Sequence, residues 1–374
     1  MQHAENDLSE ALTSRLDNLT IPRNWSKFVD KILTNDLLFD IVFDGCSPKM
    51  LVNISLTCRI GYGAVKSYYV RACDVNALFK RYFPNPLEFR ALQRRTGAVV
   101  SGSTALQFFL RERYPNSDLD VYVRKDVREE VARWVLAQGY TFKPSKYQNA
   151  NFDIAIAKRG RDVLEENRLY PFHGISFVFT FVKPSERNPD QELKVQIIVA
   201  AFAPLDVILA FHTTAVLNII AWDYAYCLYP LPTLERYEVA LLRHYDPRTD
   251  EIIDKYTDRG FNISADISDP TTLAGFGGLS RRWIGDPSTW AFRLSTDGVP
   301  APDHWLSLAR DPCVCAVWKL ASPHQPEIRT SVFRDERTGL FLNYMDCEGI
   351  LTAVLQEVKA RFGWNNYIED GRRR

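Results

Sequence analysis

Apolar residues recur at helical spacing through the first hundred positions of the chain. Leu38, Ile41 and Val42 stand at i, i+3 and i+4, the spacing that places side chains on one face of a helix. A break follows at Gly45-Cys-Ser-Pro48, and helical spacing then resumes. The pattern predicts short helices over residues 24–33, 33–43, 50–59, 64–70, 75–83 and 87–95.

The pattern becomes that of alternating strands and helices after residue 97. Residues 98–101 predict a short apolar strand, Gly102-Ser103 a turn and residues 104–111 a helix. We then expect a strand at 118–123, an amphipathic helix at 127–138, and strands at 152–155, 174–182 and 193–199. Both faces of the strand at 174–182 are largely apolar, which predicts that it is buried on both sides.

The most apolar window of the chain runs from Val207 to Pro232. It predicts a long buried helix over 204–222, because a membrane span would leave His212 and Asp223 unpaired in lipid. Further helices are expected over 234–244, 252–259 and 351–362, and strands over 314–318 and 338–342. Residues 266–374 thus form an aromatic-rich α/β extension.

Composition narrows the class of protein. The chain has 374 residues, 46% of them hydrophobic, and 46 basic against 46 acidic side chains, so no global field favours nucleic acid. No DNA-binding patch stands out, and Arg90, Arg94 and Arg95 are read as a solvated helix face. The seven cysteines are odd in number and lack a Cys-x-x-Cys pair, which favours reduced thiols in a cytoplasmic or nuclear protein.

The candidate chemistry lies in the segment from Gly102 to residue 123. Asp118 and Asp120 are two apart on a predicted strand, so both carboxylates lie on one face, where a cation between them would offset their repulsion. Oxygen ligands of this kind suit magnesium. Gly102 lets the backbone approach a phosphate, Ser103 can donate to it, and the following helix directs its N-terminus there.

The order of motifs resembles that of the nucleotidyltransferase superfamily over residues 95–225. It consists of a strand, Gly102-Ser103, a helix, and Asp118-Leu-Asp120 on the next strand. The resemblance implies that Ser103 helps to hold a nucleoside triphosphate. It also implies that Asp118 and Asp120 are catalytic residues binding two metal ions, which align an acceptor hydroxyl and stabilise the leaving pyrophosphate. The longer sequence around both motifs also resembles an uncharacterised fungal group of proteins with this fold, and that likeness implies no activity.

The sequence departs from the superfamily pattern in two ways. Fifteen positions separate Ser103 from Asp118, more than is usual, and a loop insertion around residues 111–116 would absorb them. The third carboxylate is expected where Gln196 stands, and an amide cannot act as a base. Glu192 shares its strand face but lies roughly 13 Å away, Asp153 is an open alternative on a predicted neighbouring strand, and Lys194 would favour phosphate binding.

Residues 33–80 resemble an F-box, a small three-helix module. The likeness lies in Leu and Ile-Val on the first helix, the Pro48 turn, then Leu, Ser-Leu and Cys-Arg; Thr34-Asn35 replace the usual Leu-Pro entry. F-box proteins dock on the adaptor subunit of a cullin-type ubiquitin ligase, so the resemblance implies that partner. A helical hairpin that caps the next domain is the simpler alternative.

Together these patterns predict an α+β protein with a nucleotidyltransferase-like mixed sheet and flanking helices. The expected divisions are a polar N-terminus without a secretory signal at 1–22, an F-box-like module at 23–94, the nucleotidyltransferase-like domain at 95–265, and the extension at 266–374. Two functions remain open. One is binding of nucleoside triphosphate and magnesium, with nucleotidyl transfer reduced or absent because of Gln196; the other is recruitment of substrates to a ubiquitin ligase.

Overall fold

The fold combines a helical N-terminal part with one large mixed sheet. The computed structural model describes residues 27–114, 117–158, 174–185, 191–242, 249–301, 317–324, 326–331, 333–335 and 340–342. The α-helices are α1 Asp36–Asp44, α2 Pro48–Ser55, α3 Arg59–Ala72, α4 Val75–Phe79, α5 Pro86–Thr96, α6 Gly102–Leu110, α7 Arg128–Ala137, α8 Phe152–Ala157, α9 Pro204–Leu209, α10 Thr249–Thr257 and α11 Pro270–Gly275. Shorter helical turns are Val29–Leu33, Thr214–Val216 and Leu231–Arg236.

The strands build one main sheet and three small ones. They are β1 Val99–Ser101, β2 Leu119–Val123, β3 Thr141–Lys143, β4 Ile175–Pro184, β5 Glu192–Ala200, β6 Asn218–Ile220, β7 Tyr224–Cys227, β8 Glu238–Ala240, β9 Asn262–Ser264, β10 Arg281–Trp283, β11 Trp290–Arg293, β12 Val317–Ala321, β13 Glu327–Ser331, β14 Phe333–Asp335 and β15 Leu340–Leu342. The main sheet has the order β11-β7-β6-β1-β2-β5-β4-β3, and β2 and β5 are its parallel pair. The α+β class with a mixed sheet and helices is therefore confirmed.

The turn Val29–Leu33 and helices α1 to α3 form a small unit, here called the helical module. Helix α1 begins where the Asn35 side chain accepts from the backbone amides of Leu37 and Leu38, and α2 begins with Pro48. The module has its own core, in which Phe43 and Leu51 are fully buried. The predicted helices around the Gly45-Cys-Ser-Pro48 break are thus confirmed.

Two charged side chains fix the helical module to the main sheet and its flanking helices, here called the sheet domain. Arg111, in a left-handed conformation at the end of α6, donates to the carbonyls of Phe43 and Cys46 and to the Tyr68 hydroxyl. Glu235 accepts from the Ser47 hydroxyl at 2.7 Å and from a backbone amide at the start of α2. The last turn of α1 and the first turn of α2 are therefore held from the other domain.

The main sheet separates two hydrophobic cores. Alternate residues of β2, namely Leu119, Val121 and Val123, lie in the larger core on one face. The opposite face carries Tyr122 in the second core but becomes polar toward Asp120. Strand β4 is buried along most of its length, as its two apolar faces predict. The N-terminal end of β2 thus presents polar side chains at the edge of an otherwise apolar layer.

Two of the helices expected after residue 200 are wrong. The stretch 204–222 contains the short helix α9, the turn Thr214–Val216 and strand β6, and the stretch 234–244 contains a helical turn and strand β8. Continuous apolar runs fit a buried strand as well as a buried helix. Tyr237, at φ 51°, ends the second helical turn before β8.

Two further expectations are also wrong. Residues 152–155 belong to helix α8, which Asn151 caps by accepting from two backbone amides, and not to a strand. Arg90 does not lie on a solvated face, because it is fully buried and donates to the Trp222 carbonyl. The helix expected over 351–362 lies outside the described residues. No helix within the described ranges is long and apolar enough to cross a membrane.

Candidate functional site

Strands β2 and β5 bring four polar side chains together on one face of the sheet. The two strands are parallel, and their register places Asp120 beside Gln196. Asp118 and Lys194 lie one pleat earlier on the same face, since residues two apart in a strand point the same way. These four residues, with Gly102 and Ser103, are called the polar site. The sequence-predicted residues of the site therefore lie close together in space.

An ion pair dominates one end of the polar site. The Lys194 ammonium lies 2.6 Å from Oδ2 of Asp118, and the two side chains are 35% and 32% exposed. The main chain at Asp118 is anchored from α6, because the Thr104 hydroxyl donates to the Asp118 carbonyl at 2.7 Å. Buried Tyr82 donates to the Ser117 carbonyl, one residue earlier. Neither anchor was predicted, because both are contacts between distant segments.

Gly102 closes the other end of the polar site at the start of α6. Its φ is +74°, and a Cβ there would lie 2.7 Å from Oδ2 of Asp120. A side chain at position 102 would meet both a strained backbone and the carboxylate, so glycine is required. Ser103 follows in the first turn and is half-buried. The approach of Asp120 to the helix N-terminus is thus fixed by the absence of a side chain at Gly102.

Burial and charge act on Asp120 in the same direction. Burial, and then the neighbouring Asp118 carboxylate, raise the pKa of Asp120 to about 7, although Lys194 and Lys255 oppose the shift. Lys255, on α10, has its pKa lowered by burial and by Arg259, while the two aspartates act against that. Asp120 is therefore partly protonated near neutral pH, and two ammonium groups lie within electrostatic range of the two carboxylates.

Neither candidate for a third carboxylate, Glu192 or Asp153, joins the polar site. Gln196 stands opposite Asp120, and its amide donates to the Thr180 hydroxyl at 3.3 Å. Glu192 pairs with Lys143 at the start of β5, and Asp153 pairs with Arg133 on the surface of α8 and α7. Among the described residues no group of three or more His, Cys, Asp or Glu side chains could hold a metal ion.

The donor set fits a magnesium ion poorly. Magnesium prefers several oxygen ligands in octahedral geometry, and acidic ligands supply most of the favourable charge. Here Asp118 is already paired with an ammonium group, and Gln196 adds no charge. The arrangement binds positive charge, but the protein supplies that charge itself through Lys194.

A second candidate surface lies on the helical module. Leu37 and Ile41 stand one turn apart on α1 and are 74% and 72% exposed, and Leu56 after α2 is 72% exposed. Nine exposed apolar residues of the helical module are together called the apolar face: Leu37, Leu38, Ile41, Val42, Met50, Val52, Leu56, Ile60 and Tyr62. Eleven of the sixteen large apolar side chains found exposed in the described residues lie between Phe28 and Val70. Exposed apolar patches are typical of interaction surfaces.

Comparisons with protein-family models, with curated proteins and with solved structures gave no match. The description of the polar site and of the apolar face therefore comes from the geometry of this chain. The chain is accordingly described as a mixed α and β protein with an eight-stranded mixed sheet, a polar site on that sheet and an apolar face on its helical module.

Proposed function

We propose that this protein is an F-box-like adaptor, in which the helical module docks on the adaptor subunit of a cullin-type ubiquitin ligase. The sheet domain is a nucleotidyltransferase-like scaffold that recruits the substrate. The observation that carries the proposal is the apolar face, where Leu37 and Ile41 are about three-quarters exposed. Full burial of one such side chain stabilises a complex by roughly 1.5–3 kcal/mol.

The apolar residues on α1 are placed so that the helix can pack against a partner. Leu37, Leu38, Ile41 and Val42 form a stripe along α1, because residues three and four apart share a helix face. The core residues of the same helix, Phe39 and Phe43, point inward. Helix α1 is thus apolar on both sides, which is unusual for a helix with one side in water. The exposed stripe suits insertion into an apolar groove.

The contacts of the module with the sheet domain support a role in presentation. Arg111 and Glu235 hold the junction between α1 and α2, and Tyr69 packs on Trp290 and Phe292 of β11. A partner bound at the apolar face would therefore hold the sheet domain in one orientation. A scaffold that presents a substrate to a ligase needs a fixed orientation of this kind.

Capture of the purified ligase adaptor subunit by the full chain tests this function. We expect Leu37→Glu with Ile41→Glu to abolish capture, because both charges would be buried in the interface. Ile154→Glu is the matched control, since Ile154 is 53% exposed on α8 in the sheet domain. Capture that survives the double substitution, or that the control also removes, would refute the proposal.

The polar site supports a second candidate function, binding of a nucleoside triphosphate by the nucleotidyltransferase-like core. The specific observation is the start of α6, where Gly102 brings the helix N-terminus close to Asp120 of β2 and the half-buried Ser103 follows in the first turn. Amide groups at a helix N-terminus favour phosphate. Lys194 and Lys255 add positive charge near the same place. Gln196, in place of an acid, favours reduced or absent nucleotidyl transfer.

Calorimetry with ATP and GTP tests this second function. Runs with and without magnesium also test the metal that the sequence leads us to expect at Asp118 and Asp120. We expect Ser103→Ala and Lys194→Ala to weaken binding in the magnesium-free runs, because the first removes a hydroxyl that can donate to phosphate and the second removes nearby positive charge. Absence of heat with either nucleotide, or unchanged binding by both variants, would rule this function out while leaving the adaptor proposal intact.

A further inference from the structure

We infer that Lys194 is a built-in cation that takes the place of a divalent metal ion at the Asp118–Asp120 pair. The wild-type site is therefore independent of divalent cations, and removal of the Lys194 ammonium converts it into a divalent-cation site. This inference goes beyond both proposed functions and depends on neither. It follows from the arrangement of side chains on β2 and β5.

The first step is the position of the ammonium group. Lys194 Nζ lies 2.6 Å from Oδ2 of Asp118, on the strand that pairs in parallel with β2. The main chain of Asp118 is anchored because the Thr104 hydroxyl donates to its backbone carbonyl, and Lys194 adjoins the fixed pairing of Leu119 with Val195. Lys194 lies within β5, and Asp118 immediately precedes β2. The ion pair is a consequence of the strand register.

The second step is the charge balance around the two carboxylates. Asp118 and the partly protonated Asp120 supply the negative charge, and the ammonium groups of Lys194 and Lys255 lie within electrostatic range of it. Gln196, beside Asp120, leaves this balance unchanged. A divalent ion at Asp118 would lie next to the Lys194 ammonium, and like charges at that distance repel strongly. The ion must therefore displace Lys194 before it can bind.

The third step is what remains when the ammonium group is absent. Lys194→Ala or Lys194→Gln leaves the two carboxyl groups with Gln196 paired beside Asp120, and Lys255 as the remaining nearby ammonium. Carboxylate and amide oxygens with water are ordinary ligands of a hard divalent cation. The variant site therefore carries negative charge that the Lys194 ammonium offsets in the wild type and that a divalent cation can offset instead.

Titration with Mn²⁺ alone, followed by electron paramagnetic resonance of the free aqueous ion, tests the inference on the full chain. We expect no Mn²⁺ bound at the polar site of the wild type in the micromolar to millimolar range. Lys194→Ala and Lys194→Gln should each bind one Mn²⁺ within this range, at least tenfold more tightly than any binding by the wild type. Adding Asp118→Asn to either variant should remove the gain, because it removes one of the two carboxylates.

Lys143→Ala is the matched control, since Lys143 also lies in the main sheet and pairs with a carboxylate, Glu192, away from the two aspartates. It should gain no Mn²⁺ site. Circular dichroism spectra identify any variant that fails to fold, and Lys194→Gln keeps most of the side-chain length. The inference is overturned if the wild type binds Mn²⁺ and Asp118→Asn removes that binding, or if folded neutral variants bind no better than the wild type.

Discussion

The apolar face and the polar site differ in how the rest of the molecule constrains them. Leu37 and Ile41 of the apolar face extend into water from a helix whose other side packs in the module core. Asp120 lies between two paired strands and against the start of α6, so that its carboxylate nearly touches Gly102. Residues of the apolar face can thus change without disturbing neighbours, whereas residues of the polar site cannot.

This difference shows which kind of function each surface can carry. An exposed apolar stripe contributes little to folding, so its residues are best explained by a partner that covers them. The polar site is held by strand register, by the helix start and by the Thr104 bond to Asp118. A site held in this way can position a ligand, but its substitution also affects stability. Binding and stability measurements together therefore separate the two regions.

The largest difference between the two regions is expected from the same substitution made once in each. Gly102→Ala should destabilise the fold by roughly 2–4 kcal/mol, because its φ is +74° and its Cβ would lie 2.7 Å from Asp120. Gly63→Ala in α3 meets no atom within 4 Å and should stabilise the helix by up to ~1 kcal/mol. Chemical denaturation measures both. Equal effects would mean that the polar site is no more constrained than the module.

The next effect concerns the link between the two regions. Arg111→Ala should cost about 2–3 kcal/mol, because it removes bonds to two buried carbonyls and to the Tyr68 hydroxyl. Hydrogen exchange should then rise in α1 and α2 before it rises in the main sheet. Arg71→Ala is the control, since its exposed pair with Asp40 is worth roughly 0.2–1 kcal/mol. Unchanged exchange in α1 would show that Arg111 does not hold the module.

A smaller effect is expected from the charge of Asp120 and depends on pH. The pKa of Asp120 is raised to about 7 from 3.8, so the folded state holds the proton between these values and the unfolded chain does not. Stability from this group therefore falls as the pH rises through the window and is lowest above pH 7. Asp120→Asn should be more stable than the wild type at pH 8, by on the order of 1–2 kcal/mol.

Thermal denaturation between pH 4 and 8 checks this expectation. The advantage of Asp120→Asn should shrink as the pH falls toward 4, because the carboxyl of the folded wild type is then protonated and no longer carries a buried charge. Asp153→Asn removes one exposed negative charge from α8 and is the control for net charge. A variant that is less stable than the wild type at pH 8 would show that the ionised carboxylate is favoured in the fold.

Local pattern predicted the elements of the polar site but not its pairings. Alternation along the segment of β2 placed Asp118 and Asp120 on one face, and a helix was correctly expected over 104–111, although it already begins at Gly102, where a turn was expected. The contact of Lys194 with Asp118 depends on parallel pairing of strands more than seventy residues apart. No local period encodes that pairing, so Lys194 was expected at a phosphate and not at a carboxylate.

The errors of sequence interpretation share one physical cause, which is that contacts between distant segments, and not the local pattern, decide the structure there. Arg90 follows a helical surface pattern, yet a distant backbone carbonyl, that of Trp222, satisfies its guanidinium in the interior. The apolar run at 204–222 was assigned to one helix, because burial alone does not distinguish a helix from the central strand β6. The module helices were predicted more accurately, since capping by Asn35 and by Ser47-Pro48 is encoded locally.

The smallest effect on stability is expected on the apolar face, and it sharpens the comparison most. Leu37→Ser with Ile41→Ser should change the free energy of unfolding by less than ~0.5 kcal/mol per site, because both side chains are mostly in water. Phe43→Ala on the same helix should cost roughly 3–5 kcal/mol, since Phe43 is fully buried. Chemical denaturation of the three chains tests this. A large loss from the serine pair would mean that these side chains stabilise the fold itself, which would remove the reason to assign them to a partner.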